Sequence, residues 1–288
     1  MIIVKLMGGL GNQLFQYAAG KTLAIQHNTI LKLDLSFLNQ ESDLHTKRNF
    51  ELDVFITDSE FCTAGEVKAF ANKPAVARYL PFFFHDKFVA NEKGFEFDPA
   101  FFSFPENTYL NGFWQSEKYF AGIRSILLKD LVVKREASER LRAVKNLILN
   151  SNSVSLHVRR GDYITNPSSR EFHGNLQLDY YHKAIDCLNN LYRDLKIFIF
   201  SDDIAWVKLN LKPVNVCEYI DFNTGKDSAF DLELMGLCKH NIIANSSFSW
   251  WGAWLNQNSN KTVISPEHWF ANENINTKDL IPNDWIKL

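Results

Sequence analysis

The pattern of apolar and polar positions at the start of the chain predicts a strand, a turn, a helix and a second strand. Residues 2–6 form an apolar run that ends at glycines, as expected for a strand entering a turn. Apolar side chains at helical spacing follow over residues 12–27, and residues 30–34 form a second apolar run. The first 34 residues therefore predict one complete supersecondary unit.

From residue 150 onward the alternation of strand-like and helix-like segments becomes regular. Parallel strands with helices on both faces produce this rhythm, and such sheets bind ligands beyond the carboxyl ends of their strands. The helical spacing is clearest over residues 178–192, where apolar residues recur every three or four positions. The predicted strands cover residues 153–158, 196–200, 215–219, 241–244 and 262–264, and further helices cover 204–211, 226–238 and 247–256.

The stretch between these two regular regions has no clean period. Aromatic clusters at residues 81–85 and 101–104 indicate loops or short packing segments. A strand is predicted over residues 108–113, and helices are predicted over 116–128 and 134–149.

Composition and charge restrict the class of protein. Of the 288 residues, 46% are hydrophobic and 22% are charged, which excludes a mainly disordered chain. The net charge of −2 gives no sign of a nucleic-acid partner. No apolar run approaches the roughly 18–20 residues of a membrane span, and the start lacks the basic region of a signal peptide. The four widely spaced cysteines favour reduced thiols in a cytoplasmic protein over disulfides or a zinc site.

The first of four turns with candidate chemistry is Gly8–Gln13, after the first predicted strand. Its glycines, including Gly9 and Gly11, allow the backbone to approach a ligand at a helix start. The spacing fits neither the dinucleotide-binding pattern nor the lysine-bearing phosphate loop. A purely structural turn is the alternative.

The second turn follows the predicted strand at residues 153–158 and contains His157, Arg159, Arg160 and Asp162. The planar fork of arginine suits phosphate, and the carboxyl end of a strand is where this fold class binds ligands. Asp162 could orient an arginine or act on a hydroxyl group. The alternative is a surface cluster of salt bridges.

The third turn, Asn245–Phe248, lies where a predicted strand gives way to a helix. The hydroxyls of Ser246 and Ser247 and the amides that follow could form an anion cradle at the helix N-terminus. Ordinary helix capping by serine is the alternative. The three tryptophans that follow, at positions 250, 251 and 254, favour a core role over a sugar platform.

The fourth turn ends a predicted strand with two carboxylates, Asp202 and Asp203. They could bind a divalent metal, accept hydrogen bonds from guanine or ribose, or cap the next helix. The chain contains no Asp-x-Asp and no cluster with metal-ligand spacing, so no metal is predicted. His240, directly before another predicted strand, could also reach the ligand site.

Three blocks of the sequence resemble signatures of the α-1,2-fucosyltransferases of bacteria and animals, glycosyltransferase family 11. The blocks are Gly8–Ala18, similar to the N-terminal signature, His157–Tyr163, similar to the donor-binding motif, and Cys238–Leu255, similar to the C-terminal signature. They occur in the family's order, and the bacterial type is the better match.

The resemblance implies a fold and a set of roles. The fold is α/β with GT-B architecture: two Rossmann-like domains facing across a cleft, residues 1–150 mainly on the acceptor side and residues 151–288 binding GDP-fucose. The last residues are able to pack back on the first domain. The implied donor-binding residues are Gly9, Gly11, Asn12, Gln13, His157, Arg159, Arg160, Asp202, Asp203, His240, Asn245, Ser246, Ser247 and Phe248.

The implied reaction is inverting transfer of L-fucose from GDP-β-L-fucose to the 2-hydroxyl of a terminal galactose in a glycan, as in polysaccharide or O-antigen synthesis. Arg159, Asp162 and Asn12 are the candidate catalytic residues: Arg159 on the leaving diphosphate, Asn12 facing the reaction centre, and Asp162 as a base or as the arginines' structural partner. No metal or other cofactor is expected, and membrane contact is at most peripheral, through a lipid-linked acceptor. The alternatives are another GDP-deoxysugar such as GDP-colitose, or a carbohydrate-binding protein without catalysis.

Overall fold

The computed structural model describes residues 1–40, 48–71, 88–161 and 166–288. The chain divides into two compact units. The first contains Met1–Val132 and Asn276–Leu280, and the second contains Val133–Ile275 and Ile281–Leu288. Each unit is built around a parallel sheet, so the predicted α/β class is confirmed.

The first unit contains a five-stranded parallel sheet with the strand order β3-β2-β1-β5-β4. The strands are β1 (Ile2–Lys5), β2 (Leu31–Asp34), β3 (Glu60–Phe61), β4 (Phe88–Asn91) and β5 (Thr108–Asn111). The described helices are α1 (Leu10–Gln26), α2 (Ala64–Ala71) and α3 (Arg124–Asp130).

The second unit contains a six-stranded parallel sheet with the order β11-β10-β9-β6-β7-β8. The strands are β6 (Asn152–Val158), β7 (Leu195–Ser201), β8 (Val216–Ile220), β9 (His240–Ile242), β10 (Val263–Ser265) and β11 (Ile286–Lys287). The described helices are α4 (Glu139–Leu149), α5 (Pro167–His173), α6 (Leu178–Leu191), α7 (Ile204–Asn210), α8 (Ala229–Leu237) and α9 (Ser247–Leu255).

Strand β7 shows why the second sheet is covered on both faces. Successive side chains of a strand point to opposite faces, and all four central residues of β7 are apolar. Ile197 and Ile199 are buried in a cluster with α6 and α7, whereas Phe198 and Phe200 are buried in a second cluster with α4 and α8. The continuous apolar run is therefore the signature of a strand buried on both faces.

The boundary between the units differs from the prediction at residue 150. The second unit begins at Val133, because α4 buries Leu141, Val144 and Ile148 against the β7 face of the second sheet. The last residues, Ile281–Leu288, belong to the second unit, where β11 pairs in parallel with β10. The segment that belongs to the first unit is instead Asn276–Leu280.

Several other local expectations required correction. The helix predicted over residues 116–128 is two short 3₁₀ turns followed by α3, and the helix predicted from residue 226 begins with a 3₁₀ turn. The predictions did not include α2, α5, β3, β4 or β11, which are short or lack a clear period. The aromatic cluster at 81–85 lies outside the described residues. The tryptophans of α9 are buried at 0–2% exposure, which confirms their core role.

Candidate active site

The order of strands in the second sheet brings three of the candidate turns side by side. Strands β9, β6 and β7 are neighbours and all run parallel. The residues that follow them, at 243–248, 159–161 and 202–203, therefore emerge at the same edge of the sheet. Loops at this edge form the ligand sites of parallel α/β sheets.

Arg159 and Asp202 form an ion pair across the ends of β6 and β7. Their Nη1 and Oδ2 atoms are 2.8 Å apart, and both side chains are about one quarter exposed. The other oxygen of Asp202 accepts a hydrogen bond from the backbone N–H of Arg160 at 2.9 Å. Asp202 thus fixes both the backbone of the turn and the guanidinium of its first arginine.

The second pair, Arg160 and Asp203, is looser and is supported by an aromatic ring. The Nε to Oδ2 distance is 3.4 Å, and the guanidinium carbon lies 3.4 Å from the ring centre of Trp206. Asp203 also caps α7, since its Oδ1 accepts from the backbone N–H of Trp206 at 3.1 Å. The capping interpretation is therefore confirmed for Asp203, and the arginines do belong to a salt-bridge cluster.

Gly161 shows how tightly this turn is built. A Cβ atom at this position would lie 2.5 Å from Oδ2 of Asp202, which is closer than two non-bonded atoms can approach. A larger residue would therefore displace the carboxylate that holds Arg159. The next candidate residue, Asp162, lies outside the described residues, so its role stays a prediction.

The start of α9 differs from an ordinary serine-capped helix. Ser246 occupies the N-cap position, but its side chain makes no capping hydrogen bond. The hydroxyl of Ser249 stabilises the turn instead, accepting from the backbone N–H of Ala244 at 3.2 Å. Capping is thus not the role of the Ser246 hydroxyl, which is compatible with an anion cradle at this helix start.

His157 is the penultimate residue of β6, and its ring lies close to the third turn. The ring is 5.8 Å from that of Phe248, and the residue is 5% exposed. Its Nδ1 atom has no hydrogen-bond partner within the described part of the chain. Burial lowers the pKa of the imidazole, because desolvation disfavours the charged form. His157 is therefore neutral at pH 7.

Two residues that the sequence predicts to bind the GDP-sugar have another role or another position in the structure. Asn245 is buried, and its Nδ2 donates to the carbonyl oxygens of His173 and Trp269 at 2.8 and 3.2 Å, so it ties together segments of the second unit. His240 begins β9, in register with Val154 near the amino end of β6. The prediction that His240 reaches the ligand site is therefore wrong: a residue at the amino end of a parallel strand lies opposite the edge formed by Arg159.

The glycine turn after β1 forms a separate candidate site in the first unit. Gly8 has a φ of +75°, a conformation that favours glycine, and a Cβ there would lie 2.4 Å from Nδ2 of Asn12. Asn12 accepts a hydrogen bond at Oδ1 from Nε2 of Gln115, at 2.8 Å. Gly9 is the N-cap of α1, and Gly11 is buried within it.

Gln13 has a structural role in this turn. It is fully buried, and its Nε2 donates to the carbonyl oxygens of Gly8 and Asn49 at 2.9 and 2.8 Å. Its Oε1 accepts from the backbone N–H of Glu51 at 2.9 Å. Both ends of the amide are thus used to join the turn to residues 49–51, which speaks against the predicted donor-binding role.

Asp231 is a candidate that the sequence argument did not select. It lies in the first turn of α8, after the carboxyl end of β8, and its Oδ1 accepts from Nδ2 of Asn223 at 2.7 Å. Burial raises the pKa of its carboxyl group to about 7. An acid with so perturbed a pKa, near the edge that carries Arg159, is a recognised signal of a functional site. Its position among apolar residues concealed it in the sequence.

Across residues 1–40, 48–71, 88–161 and 166–288, no three histidine, cysteine, aspartate or glutamate side chains converge as they would around a metal ion. Within the same ranges, no helix has the length and apolar character needed to cross a bilayer.

Comparison with known proteins places the chain in a family. The family model described as Glycosyl transferase family 11 matches residues 1–288. The chain therefore belongs to glycosyltransferase family 11, and the protein is a glycosyltransferase. The sequence-based identification of the family is confirmed.

Two relatives from Escherichia coli match along their whole length. The O-antigen biosynthesis glycosyltransferase WbnK is 38% identical, with 98% of this chain and 99% of the relative covered. An alpha-1,2-colitosyltransferase is 32% identical, with 100% of this chain and 99% of the relative covered.

Solved structures support the fold. The NodZ alpha-1,6-fucosyltransferase soaked with GDP-fucose has a TM-score of 0.52 at 14% identity, covering 88% of this chain and 92% of that chain. The two parallel sheets with their helices are the two Rossmann-like units of the GT-B architecture, which confirms that part of the fold prediction.

Proposed function

We propose that this enzyme transfers a 6-deoxy-L-sugar from its GDP derivative to the 2-hydroxyl of a terminal galactose in a glycan, with inversion at the anomeric carbon. L-Fucose is the first candidate for the sugar. The observation that carries the proposal is the Arg159–Asp202 ion pair beside the Ser246 helix start, on adjacent strand ends of the second sheet.

The leaving diphosphate sets the chemical requirement. Glycosyl transfer passes through an oxocarbenium-like transition state, and negative charge grows on the phosphate oxygen that leaves. A guanidinium presents two parallel N–H donors to such a group, and Asp202 holds Arg159 in place before the donor binds. Preorganised donors of this kind stabilise developing charge without reorganisation in the transition state.

The start of α9 supplies a second set of donors for the same diphosphate. The first amides of a helix point outward along its axis and favour an anion. Because the Ser246 hydroxyl is not used as a cap, we assign it, with Ser247, to the phosphate oxygens. The ring contact of 5.8 Å between His157 and Phe248 supports the closeness of this helix start to the arginine turn.

Transfer without a metal is part of the proposal. Two arginines and one helix start supply the positive potential that a divalent cation would otherwise supply at a diphosphate. The two carboxylates at this edge are paired with the arginines, so binding a metal there would require breaking both ion pairs.

The guanine base needs a carboxylate to accept its N1–H and exocyclic N–H groups. Asp203 and, as the alternative, Asp202 are the candidates from sequence, but Asp202 pairs with Arg159, and Asp203 caps α7 and pairs with Arg160. We assign this role to Asp231, because its partly enclosed carboxyl group lies near the same sheet edge. Hydrogen bonds from the N–H groups of guanine would stabilise the charged form of the Asp231 carboxyl group.

A relative supports a second candidate for the sugar. The alpha-1,2-colitosyltransferase matches the whole chain, and colitose differs from fucose only in lacking the 3-hydroxyl group. The two donors would make the same contacts through GDP and through the anomeric carbon. The O-antigen role in the name of WbnK indicates a bacterial surface polysaccharide as the acceptor for either sugar.

The test is product analysis with both donors. The purified enzyme is given GDP-fucose or GDP-colitose together with a panel of galactose-terminated acceptors, and products are identified by mass and by NMR of the new linkage. We expect an α-1,2-linked product, and the two sugars differ in mass by one oxygen atom. A product only with GDP-colitose would correct the donor, and failure to bind GDP would overturn the proposed class of donor.

A further inference from the structure

The carboxyl edge of the first sheet contains a hydrogen-bonded chain that leads to Asn12. Strands β1, β5 and β4 are neighbours and run parallel, so the residues that follow them meet at one edge. Glu92 follows β4 directly, residues 112–115 follow β5, and Asn12 lies in the turn after β1.

Glu92 holds the turn after β5 through both of its carboxylate oxygens. Oε2 accepts from the backbone N–H of Phe113 at 2.6 Å, and Oε1 accepts from that of Trp114 at 2.9 Å. The turn approaches so closely that a Cβ at Gly112 would lie 2.4 Å from the Cβ of Glu92. Glycine at 112 is therefore required for this contact.

The turn contains a tryptophan in the left-handed region of backbone conformation, which bulky residues rarely adopt. Trp114 has a φ of +56°, an outlier for a bulky side chain. It is 2% exposed and packs edge-on against Tyr119, at 5.4 Å between ring centres. Strained backbone of this kind persists only where the surroundings over-determine it, and it concentrates at functional sites. The two hydrogen bonds to Glu92 and the aromatic packing are what hold it here.

The residue after the strained one makes the contact with Asn12. Nε2 of Gln115 donates to Oδ1 of Asn12 at 2.8 Å, and Gln115 is 7% exposed. Since Oδ1 is occupied, the amide of Asn12 presents its Nδ2 donor, which lies over Gly8. The orientation of the Asn12 amide therefore depends on where the turn holds Gln115.

We propose that Glu92 is a positioning residue, which fixes the strained turn at Trp114 so that Gln115 sets the amide orientation of Asn12 and presents Nδ2 to the substrate. This proposal rests on the proposed function for the step it affects. It adds two residues, Glu92 and Gln115, that do not themselves contact substrate. An uncharged amide network gives Asn12 one orientation without placing a charge beside the sugar.

The first test compares turnover and binding in variants. Glu92→Gln retains the size of the side chain but replaces one of two acceptors with a donor, and Gln115→Met removes the donor to Asn12. We expect each to lower kcat by about fivefold to tenfold, with KM for the donor changed less than twofold, because misplacement of a group near the reacting atoms costs rate. Glu60→Gln is the matched control, since that side chain is 64% exposed on β3.

A variant cycle separates positioning from general damage to the fold. If Glu92 and Gln115 act through Asn12, neither substitution lowers kcat further in an Asn12→Ala background. Independent, multiplicative losses in that background would overturn the proposal. So would kcat within twofold of wild type for both single variants. Thermal melts identify a variant that unfolds. If Glu92→Gln unfolds, the kinetics of Gln115→Met alone test the proposal.

A second readout requires no activity, so it distinguishes failure of this proposal from failure of the proposed function. Burial raises the pKa of Glu92 to about 7. Burial also raises the pKa of the nearby Tyr119 phenol, which therefore stays protonated near pH 7. In wild-type protein we expect the ¹⁵N resonances of Phe113, of Trp114 and of the Asn12 side-chain amide to titrate together near pH 7. The titration should vanish in Glu92→Gln. An Asn12 amide that does not respond would overturn the proposal even if the enzyme transfers the expected sugar. Absence of transfer together with this titration would overturn the proposed function alone.

Discussion

The two units have the same architecture but different chemistry at the carboxyl edges of their sheets. In the second unit, the edge carries two arginines and two aspartates joined in ion pairs, beside a helix start. In the first unit, the corresponding candidates for binding are neutral amides, with Gln115 donating to Asn12 and Gln13 bound to the backbone. The carboxylate at this edge, Glu92, accepts hydrogen bonds from backbone N–H groups. Both edges follow from parallel strands, so the topology alone does not determine what they bind.

Under the proposed function, this difference predicts that the two edges have separate roles in the reaction. Charge-assisted hydrogen bonds suit a diphosphate, which carries fixed negative charge and gains more as it leaves. Uncharged amides suit sugar hydroxyls, each of which can donate one hydrogen bond and accept up to two. The charged edge should therefore govern donor affinity and leaving-group departure, and the amide edge should govern the transfer step. Substitutions at the two edges test this assignment of roles.

The largest effect is expected for Arg159→Lys at the charged edge. Lysine keeps the charge but loses the planar fork that matches a diphosphate. Fixed donors to developing charge are typically worth about 2.7–4 kcal/mol, so turnover at saturating donor should fall by roughly 100-fold to 1,000-fold. The matched control is Arg140→Lys, since Arg140 is 61% exposed in its ion pair with Asp221. Near-normal turnover for Arg159→Lys, or a larger loss for Arg160→Lys, would show that the wrong arginine has been chosen.

The next effect concerns Asp231, the carboxylate to which we assign the guanine base. Asp231→Asn should weaken GDP binding by calorimetry by about tenfold to a hundredfold, because a hydrogen bond to a charged group contributes roughly 1.5–3 kcal/mol. The measurement belongs at pH 8, where Asp231 is ionised given a pKa of about 7. Binding of inorganic diphosphate, which has no base, should be unchanged. Asp203→Asn is the comparison: if it weakens GDP binding more than Asp231→Asn does, the original assignment from sequence is the right one.

A smaller effect is expected at the amide edge. Asn12→Ala should lower turnover by about tenfold, because the variant lacks the Nδ2 donor that we propose faces the substrate. The Kd for GDP should stay within about twofold of wild type, since we assign the diphosphate to the other unit. Asn91→Ala provides a control, because its amide is exposed and bonded to Asn111. A matching loss of GDP affinity in Asn12→Ala would break the proposed division between the two edges.

The smallest effect is expected from removal of divalent metal. Both carboxylates of the charged edge are paired with arginines, and we assign the diphosphate to arginine and helix-start donors rather than to a metal. Initial rates with excess EDTA should therefore equal those without it. Loss of most activity, restored by magnesium or manganese, would make the two carboxylates metal ligands and would overturn the metal-free part of the proposal.

Local patterns in the sequence were sufficient for several elements of the site. The apolar run of β7 and the helical spacing of α6 predicted the second sheet, because burial on both faces leaves a continuous apolar strand. The motif containing Arg159 was assigned to a strand end, and it lies there. The same reasoning misplaced His240, because a residue just before a parallel strand and one just after it lie at opposite edges.

The sequence by itself determined the α/β class through its periodicity, and it determined the family through a resemblance carried by three contiguous motifs. It also located the candidate turns. Only the tertiary structure decided which side chains are partners. It paired Arg159 with Asp202, gave Gln13 and Asn245 structural roles, and connected Glu92 to Asn12 through a strained turn. These contacts join residues from separate strands, and strand order is set by packing of the whole sheet. No local pattern carries that information, because a hydrogen bond between distant residues exists only once the sheet has formed.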